Sequence, residues 1–313
     1  MKYFIATALA LGLTAGSAAA ENIGVTMAAF DDTFLTQLRN GISTHASELN
    51  GVTVQIEDAQ NDVGKQLNQI QNFVAAGVDA IIVNPVDTDA TLAMTAAAEA
   101  AGIPLVYVNR QPVNVDNLPA NQAFVASRES DAGKLQAEEA CRLLKAAGLT
   151  EASVVILMGE LSNQGARMRT QAVEDVVATP ECSFMKIAER QTGNWQRTQG
   201  ADLVTNWLTA GVKMDAVLSN NDEMAIGAIQ AMKAAGVPLD SVVIGGIDAT
   251  PDALAAMAQG ELDLSVFQDA RGQGSGALDT ALRLARKEAG EQTVYIPFEL
   301  VTPENLKAFQ ARN

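Results

Sequence analysis

The sequence has few of the residues that commonly serve in nucleophilic catalysis and metal binding. Its 313 residues include one histidine, His45, and two cysteines, Cys141 and Cys182. A histidine base for a serine or cysteine nucleophile would have to be His45, which lies in the helical stretch "RNGISTHASEL" with no partner beside it. Two sulfur atoms without a neighbouring histidine do not make a zinc site. These scarcities argue against catalytic triads and metal centres, and we expect no cofactor.

Signatures of nucleotide and nucleic-acid binding are also missing. The first strand-like run, "IGVTMAAFDD", is not followed by G-x-G-x-x-G, and no run precedes G-x-x-x-x-G-K-[ST]. Lysine and arginine number 21 against 37 aspartates and glutamates, which gives a net charge of -16. Because so acidic a chain repels nucleic acid and anionic lipid, neither is an expected partner.

The one long apolar run lies at the N-terminus. Residues 1–20, "MKYFIATALALGLTAGSAAA", carry the single cation Lys2, then an apolar stretch, then small residues with Ala18 and Ala20 in an A-x-A pattern. The apolar stretch is shorter than the roughly 20 residues that a membrane span needs. The pattern predicts a signal peptide over residues 1–20, cleaved before Glu21, and export of a soluble protein.

The predicted export affects the expected oxidation state of the two cysteines. In an oxidising compartment an isolated pair is more often bridged than free, so we predict a disulfide between Cys141 and Cys182. A buried reduced pair is the alternative.

Short β-branched runs alternate with alanine-rich amphipathic stretches along the rest of the chain. Strands separated by helices of this length imply right-handed crossovers and a parallel sheet. The pattern occurs twice, which predicts two α/β units of similar size. The last strands, at 262–267 and 294–301, come late enough for the chain to cross back between the units.

Polar residues follow nearly every predicted strand, where open parallel sheets bind ligands. Asn84, Asp87 and Asp222 could instead be N-caps of the next helix, and we favour capping for Asp87 and Asp222. Arg110 and Arg169 fit this explanation poorly, because a guanidinium opposes the positive end of the helix dipole. Such a group requires a carboxylate, a phosphate or a set of hydroxyls.

The polar set as a whole suits a neutral polyol. Aspartate and asparagine accept hydroxyl protons, arginine and asparagine donate to hydroxyl oxygens, and an aromatic face packs on the C–H side of a sugar ring. Each buried hydroxyl needs a partner, because an unpaired buried polar atom costs about 1–3 kcal/mol.

Four stretches carry a resemblance to a known family: "AIIVNPVDTDA", "IPLVYVNRQP", "SNNDEMAIGAIQAMKAAG" and "IGGIDATPDALAAMAQGELDLSVFQ". In this order and spacing the chain resembles the periplasmic sugar-binding proteins of ABC transporters, the ribose and galactose type. "FDDTFLTQLRNG" with "YVNRQP" most resembles the inositol- and rhizopine-binding branch. The resemblance implies an α/β type I fold: two Rossmann-like parallel-sheet lobes joined by a three-segment hinge. It places residues 21–126 and 269–294 in the N-terminal lobe and residues 127–268 and 295–313 in the C-terminal lobe.

The resemblance also implies the residues that contact the ligand. Asn109 stands where the family often has aspartate, and Leu35 and Ile247 stand where aromatic residues are usual. We expect alanine at Arg110 or Arg169 to weaken binding at least tenfold and to leave folding intact. The full predicted ligand-binding set is Asp32, Phe34, Asn109, Arg110, Arg169, Trp195, Asn221, Asp248 and Gln268.

These features predict a periplasmic, monomeric, non-enzymatic protein that delivers a monosaccharide or cyclitol, myo-inositol first, to an ABC permease. A chemoreceptor is compatible as a second partner, and ribose- or galactose-type specificity is an alternative. An exported enzyme acting on a small carbohydrate is another, with Asp31 and Asp32 or Asp248 as its carboxylates. A transcription regulator of the same fold is disfavoured by the export signal and by the lack of a basic helix-turn-helix segment.

Overall fold

The structure is a computed structural model that describes residues 20–312. The predicted signal peptide, residues 1–20, lies outside the described residues except for Ala20. None of the described helices combines the length and apolarity that crossing a bilayer requires.

Strands and helices alternate along almost the whole described chain. The strands are β1 (Glu21–Met27), β2 (Val52–Asp58), β3 (Ala80–Val83), β4 (Leu105–Val108), β5 (Gln122–Ala126), β6 (Ala152–Met158), β7 (Met185–Thr192), β8 (Ala216–Ser219), β9 (Val243–Gly245), β10 (Ser265–Phe267), β11 (Thr293–Tyr295) and β12 (Glu299–Val301). The helices are α1 (Thr33–Glu48), α2 (Val63–Ala76), α3 (Thr91–Ala101), α4 (Glu129–Ala146), α5 (Gln164–Val177), α6 (Arg197–Thr209), α7 (Asp222–Ala234), α8 (Pro251–Ala258), α9 (Ala270–Ala285) and α10 (Leu306–Gln310).

The strands form two parallel sheets and one short antiparallel pair. The first sheet has the order β11-β5-β4-β3-β1-β2, and the second has the order β7-β6-β8-β9. β10 and β12 pair antiparallel beside the second sheet. Helices cover both faces of each parallel sheet, so strands such as β3 and β4 are buried along their whole length. The predicted α/β class with parallel sheets is confirmed.

Apolar residues between each sheet and its helices form the cores. In the first sheet one face packs on α1 and α9, and the other packs on α2 and α3. In the second sheet α6 and α7 cover one face and α4 and α5 cover the other. The helices are therefore fixed by burial on the sheets, which leaves the strand ends free to carry polar residues.

Glycine residues end two of the helices in the first half of the chain. Gly77 and Gly102 end α2 and α3 with φ of 68° each, in the left-handed conformation that glycine adopts without a steric penalty. Their amide N–H groups bond back to the last turn of each helix.

The predicted strand at 294–301 is wrong as a single element. It forms β11 in the first sheet and β12 beside the second, separated by Ile296, Pro297 and Phe298. Pro297 has no N–H to donate to a ladder, which explains the break. The chain thus passes from one sheet to the other here. The lobe boundary that the resemblance implies, between residues 294 and 295, falls inside β11 and places β12 in the C-terminal lobe, and the boundaries stay a prediction.

Cys141 and Cys182 are joined by a disulfide whose Cα atoms are 5.8 Å apart. Cys141 lies on the buried face of α4, and Cys182 lies in the turn before β7. The bond therefore ties α4 to the segment that leads into the edge strand of the second sheet.

Candidate functional site

The carboxyl ends of strands from both sheets meet around one chamber. All nine residues predicted to contact a ligand line it, together with Leu35, Glu129, Asn163 and Gly165. Its empty volume is about 390 Å³, and we call it the inner chamber. The residues come from the segments after β1, β4, β6, β7, β8, β9 and β10, and from the helices α1, α4 and α5. The structure thus brings together residues that are up to 236 positions apart, from Asp32 to Gln268.

Asp32 and Phe34 form one wall. Asp32 is the N-cap of α1, and its Oδ1 accepts the Leu35 N–H at 2.7 Å. Burial raises the pKa of Asp32, while the Leu35 N–H and the charge of Arg110 oppose that rise. Phe34, in the first turn of α1, is buried against the first core. The wall therefore combines an acceptor oxygen with an aromatic ring.

Asn109 leaves β4 with φ of 66°, a left-handed conformation that asparagine tolerates better than most residues. Its Nδ2 donates to Gln273 Oε1 at 3.2 Å, and its Oδ1 accepts from Asn84 Nδ2 at 3.4 Å. Asn84 also accepts the Ala28 N–H, so it links three segments after strands rather than capping a helix. This network fixes the direction of the chain as it enters the chamber.

Arg110 is buried with only 5% of its surface exposed. Its Nη1 donates to the carbonyl oxygens of Pro85 and Val86 at 3.1 and 3.2 Å, and its Nη2 lies 3.9 Å from Glu160 Oε2. Burial lowers the pKa of Arg110, and the Glu160 and Asp32 carboxylates oppose that effect. The two carbonyls hold the guanidinium in place, and part of it remains available to a ligand.

Arg169, in α5, is the most highly bonded side chain of the site. Its Nε donates to Glu129 Oε2 at 2.5 Å, its Nη1 to the Asn220 carbonyl at 2.6 Å, and its Nη2 to Gln268 Oε1 at 2.9 Å. Asp248 Oδ1 lies 3.8 Å away. Burial acts to lower the pKa of Arg169, but Glu129 and Asp248 outweigh it and the pKa is raised.

Asp222 does not cap α7, contrary to the expectation from the sequence. Asn221 is the N-cap, and its Oδ1 accepts the Met224 N–H at 3.1 Å. The fully buried Asp222 side chain instead accepts the Thr250 N–H and the Ser265 hydroxyl, both at 2.7 Å. Burial raises its pKa to about 7. Asp87 caps only the 3-10 turn Thr88–Ala90 that precedes α3, where its side chain accepts the Asp89 N–H, and α3 itself begins after Ala90 without a side-chain cap.

The segment that Asp222 holds carries Asp248 into the inner chamber. Asp248 has φ of 117° and Ala249 has φ of 53°, conformations that cost energy in residues other than glycine. Burial raises the pKa of Asp248 well above its usual range, and Arg169 opposes that rise. The Asp222 N–H donates to the Ile247 carbonyl and the Asp222 carboxylate accepts the Thr250 N–H, so Asp222 bonds the turn on both sides of this strained backbone.

Trp195 and Gln268 contribute donors that have no acceptor among the described residues. Trp195 Nε1 and Gln268 Nε2 are buried and unpaired there. The indole ring packs so closely on Gly159 that a Cβ at that position would overlap it. The Trp195 carbonyl accepts from Asn221 Nδ2 at 3.0 Å, which fixes the loop that bears the ring. Ligand oxygens would supply the missing acceptors.

Sequence reasoning missed Glu129, Glu160 and Asn163. Glu129 is in the first turn of α4, where an acidic residue is favourable for the helix dipole alone, so its position gave no functional signal. Asn163 is the N-cap of α5 and also lines the chamber. Both residues stand at helix starts rather than directly at strand ends. Glu160, two residues after β6, lies in a stretch that the sequence had marked as polar.

Comparison with known proteins supports the resemblance. A family model described as a periplasmic binding protein domain matches residues 23–289. A Rhizobium meliloti protein, provisionally named a rhizopine-binding protein, is 64% identical over 313 residues, which cover 100% of both chains. The Haemophilus influenzae D-galactose/methyl-galactoside binding periplasmic protein is 32% identical and covers 97% of each chain.

Solved structures agree. An ABC transporter solute binding protein from Bacillus halodurans with bound myo-inositol has a TM-score of 0.87 and 39% identity, covering 95% of this chain and 100% of that one. A Caulobacter myo-inositol binding protein bound to myo-inositol has a TM-score of 0.84 and 27% identity, covering 93% of this chain and 96% of that one. With a family model that spans most of the sequence and a relative of matching length, the chain belongs to the periplasmic binding protein family.

Proposed function

We propose that this protein captures a cyclitol or a monosaccharide, with myo-inositol as the first candidate, in the inner chamber between its two sheets. One observation carries the proposal: polar side chains from the strand ends of both sheets surround one chamber and include buried donors without protein partners. The names of the similar proteins support the ligand class, because two of them are described with bound myo-inositol.

The chemistry of the walls favours hydroxyl groups. Asp32 and Asp248 offer carboxylate oxygens from opposite sides, while Trp195 and Gln268 offer N–H groups. Phe34 is an apolar ring that can pack on the C–H face of a cyclic polyol. A ring whose hydroxyl groups each donate and accept, such as an inositol, satisfies both kinds of group at once.

Binding is proposed to favour a closed arrangement of the lobes. Outside the chamber, the Thr88 N–H donates to the Ser162 carbonyl at 3.1 Å, and the Thr33 hydroxyl donates to Glu223 at 3.2 Å. Each bond joins a segment near the first sheet to one near the second. A ligand that contacts both sides adds bonds that exist only when the lobes are together, so it shifts the population toward closure.

We further propose that the protein works in the periplasm as a monomer and passes its ligand to an ABC permease. A chemoreceptor is a second candidate partner for the same closed form. We also propose that the protein does not transform its ligand. Incubation with myo-inositol, D-ribose and D-galactose followed by chromatography tests this point, because any new product would favour the exported-enzyme alternative.

Isothermal titration calorimetry tests the central proposal. We expect myo-inositol to bind more tightly than D-ribose and D-galactose, and Arg110→Ala to weaken binding at least tenfold, about 1.4 kcal/mol. Arg271→Ala is the matched control, because the Arg271 side chain is 75% exposed and does not line the inner chamber. Tighter binding of ribose or galactose would move the specificity to the sugar type, and an unchanged affinity in Arg110→Ala would refute the site.

A further inference from the structure

A second chamber lies directly outside the inner chamber. Asp32, Arg110 and Trp195 line both, so the two spaces are contiguous. The second space, which we call the outer chamber, lies between Asp31 and Asn61 on one side and Glu160 and Thr198 on the other. Its empty volume is about 760 Å³, against about 390 Å³ for the inner chamber.

The difference in size matters for the ligand. A single polyol ring seated against Arg110 and Trp195 would occupy the inner chamber and leave the outer chamber to solvent. A ring substituent that points past Asp32, Arg110 and Trp195 would enter a space about twice as large. The walls of that space come from segments near both sheets, as in the inner chamber.

The outer chamber offers hydrogen-bond acceptors with little cationic compensation. Its own arginine, Arg197, is occupied by Glu223 at 2.8 and 3.0 Å and by Asp252 at 2.7 Å. The Asp31 carboxylate has no hydrogen bond within the described chain, and Glu160 has only the distant contact with Arg110 at 3.9 Å.

Free carboxylate oxygens beside amide side chains match groups that donate several hydrogen bonds. A hydroxylated sugar ring is such a group, and it is neutral, so it does not add charge beside Arg110 and Asp32, which line both chambers. An anionic substituent would instead meet the Asp31 carboxylate and Glu160, whose contact with Arg110 is 3.9 Å long.

We propose that the outer chamber is a second subsite, which takes the hydroxylated second ring of a glycosylated cyclitol while the cyclitol ring occupies the inner chamber. This inference rests on the proposed function, because it requires a cyclitol in the inner chamber. It adds a ligand class with two rings and a set of contacting residues, Asp31, Asn61, Glu160 and Thr198, outside the predicted site.

Calorimetry with two probes tests the subsite: myo-inositol, and galactinol, in which a galactose is linked to myo-inositol. We expect the wild-type protein to bind galactinol within tenfold of its myo-inositol affinity. In Thr198→Trp the indole should fill part of the outer chamber, so galactinol should bind at least tenfold more weakly while myo-inositol stays within twofold. Thr205→Trp is the matched control, because Thr205 is exposed on the same helix and lines neither chamber.

The outcomes separate the two proposals. If wild type binds myo-inositol but not galactinol, or if Thr198→Trp leaves galactinol binding unchanged, the subsite is refuted and the proposed function stands. An equal loss of both ligands in Thr198→Trp would mean that the indole hinders closure, and it would also refute the subsite. If neither probe binds to wild type, the proposed function fails and the subsite fails with it.

Discussion

Replacing Arg169 by methionine should destabilise the fold as well as the site. The guanidinium is 5% exposed and is bonded to Glu129, to the Asn220 carbonyl and to Gln268, with Asp248 at 3.8 Å. Methionine keeps most of the side-chain volume, so the change leaves little cavity and removes chiefly the charge and the donors. The sequence alone suggested that loss of this arginine would leave folding intact, and the network revises that expectation.

The expected loss of stability follows from Glu129 and Asp248, the two carboxylates that lose Arg169 as their partner. Removing one partner of a buried ion pair typically costs about 3–5 kcal/mol, because the remaining charge is buried without compensation. Glu129 is 8% exposed and Asp248 is 6% exposed, so solvent can replace little of what Arg169 supplies. We therefore expect Arg169→Met to lower the free energy of unfolding at pH 7.5 by about 3–5 kcal/mol.

Urea unfolding of the ligand-free protein measures this loss. Arg190→Met is the control, because Arg190 is 55% exposed and its ion pair with Glu174 is outside the chamber. Adding Glu129→Gln to Arg169→Met removes one stranded charge and should recover at least about 1 kcal/mol. Because burial raises the pKa of Asp248, the deficit should also be smaller at pH 5 than at pH 8. A loss below about 1 kcal/mol, or no recovery in the double variant, would refute the reasoning.

Three further changes probe other parts of the structure. The raised pKa of Asp222, about 7, means that its stabilising contribution is complete below its ordinary value of 3.8 and is lost as pH rises through 7. Asp222→Asn should therefore flatten the fall in unfolding free energy between pH 4 and pH 8 in urea titrations, and an unchanged slope would contradict this. Replacing Cys141 and Cys182 by alanine should cost about 4 kcal/mol, since the bond closes a loop with a sequence separation of 41; urea unfolding measures this, and a loss under about 1 kcal/mol would argue against it. Gly159→Ala should displace the Trp195 ring and weaken myo-inositol binding at least tenfold in calorimetry with little change in thermal stability, whereas full affinity would contradict the placement of the ring.

The fold was predictable because its signals are local. Buried parallel strands appear as short apolar runs, and residues such as Gly77 and Gly102 mark helix ends through their backbone freedom. The prediction of one strand at 294–301 was wrong for a reason that is not local. The run at 294–301 is apolar enough for one strand, and only the position of Pro297 relative to two different sheets divides it into β11 and β12. Strands that pair with partners so distant in the chain leave no local pattern in the sequence.

The part of the candidate site that lies at strand ends could be predicted, because the topology of the sheets brings those residues together. Any polar residue directly after a parallel strand arrives at the same edge of the sheet, so Asn109 and Asp248 could be grouped without knowing a contact. Glu129 could not be grouped in this way. It begins a helix, and its partner Arg169 is 40 residues away on another helix, so only the packing of α4 on α5 brings the two charges together.

The role of Asp222 shows a second limit. Asn221 and Asp222 are both good N-caps, and the sequence does not say which one caps α7. The choice of cap affects the site as well as the start of the helix. Asp222, which does not cap α7, is fully buried and bonds the turn that carries Asp248. Burial of a carboxyl group depends on the complete fold, so neither this bond nor the raised pKa of Asp222 could be read from the local sequence.

The charges of the inner chamber restrict the class of ligand further than the list of its residues does. Glu129 neutralises Arg169, whereas two neutral backbone carbonyls hold Arg110, whose charge is balanced by Asp32 and by Glu160 at 3.9 Å. Asp32 bonds the Leu35 N–H through one oxygen only, and Asp248 has no side-chain hydrogen bond within the described chain. An anionic ligand would be repelled by these two carboxylates, whereas hydroxyl groups would donate to them from both sides. The two arginines, which from the sequence alone required a carboxylate, a phosphate or a set of hydroxyls, thus belong to a site in which Asp32 and Asp248 still need hydrogen-bond donors, which a polyol supplies.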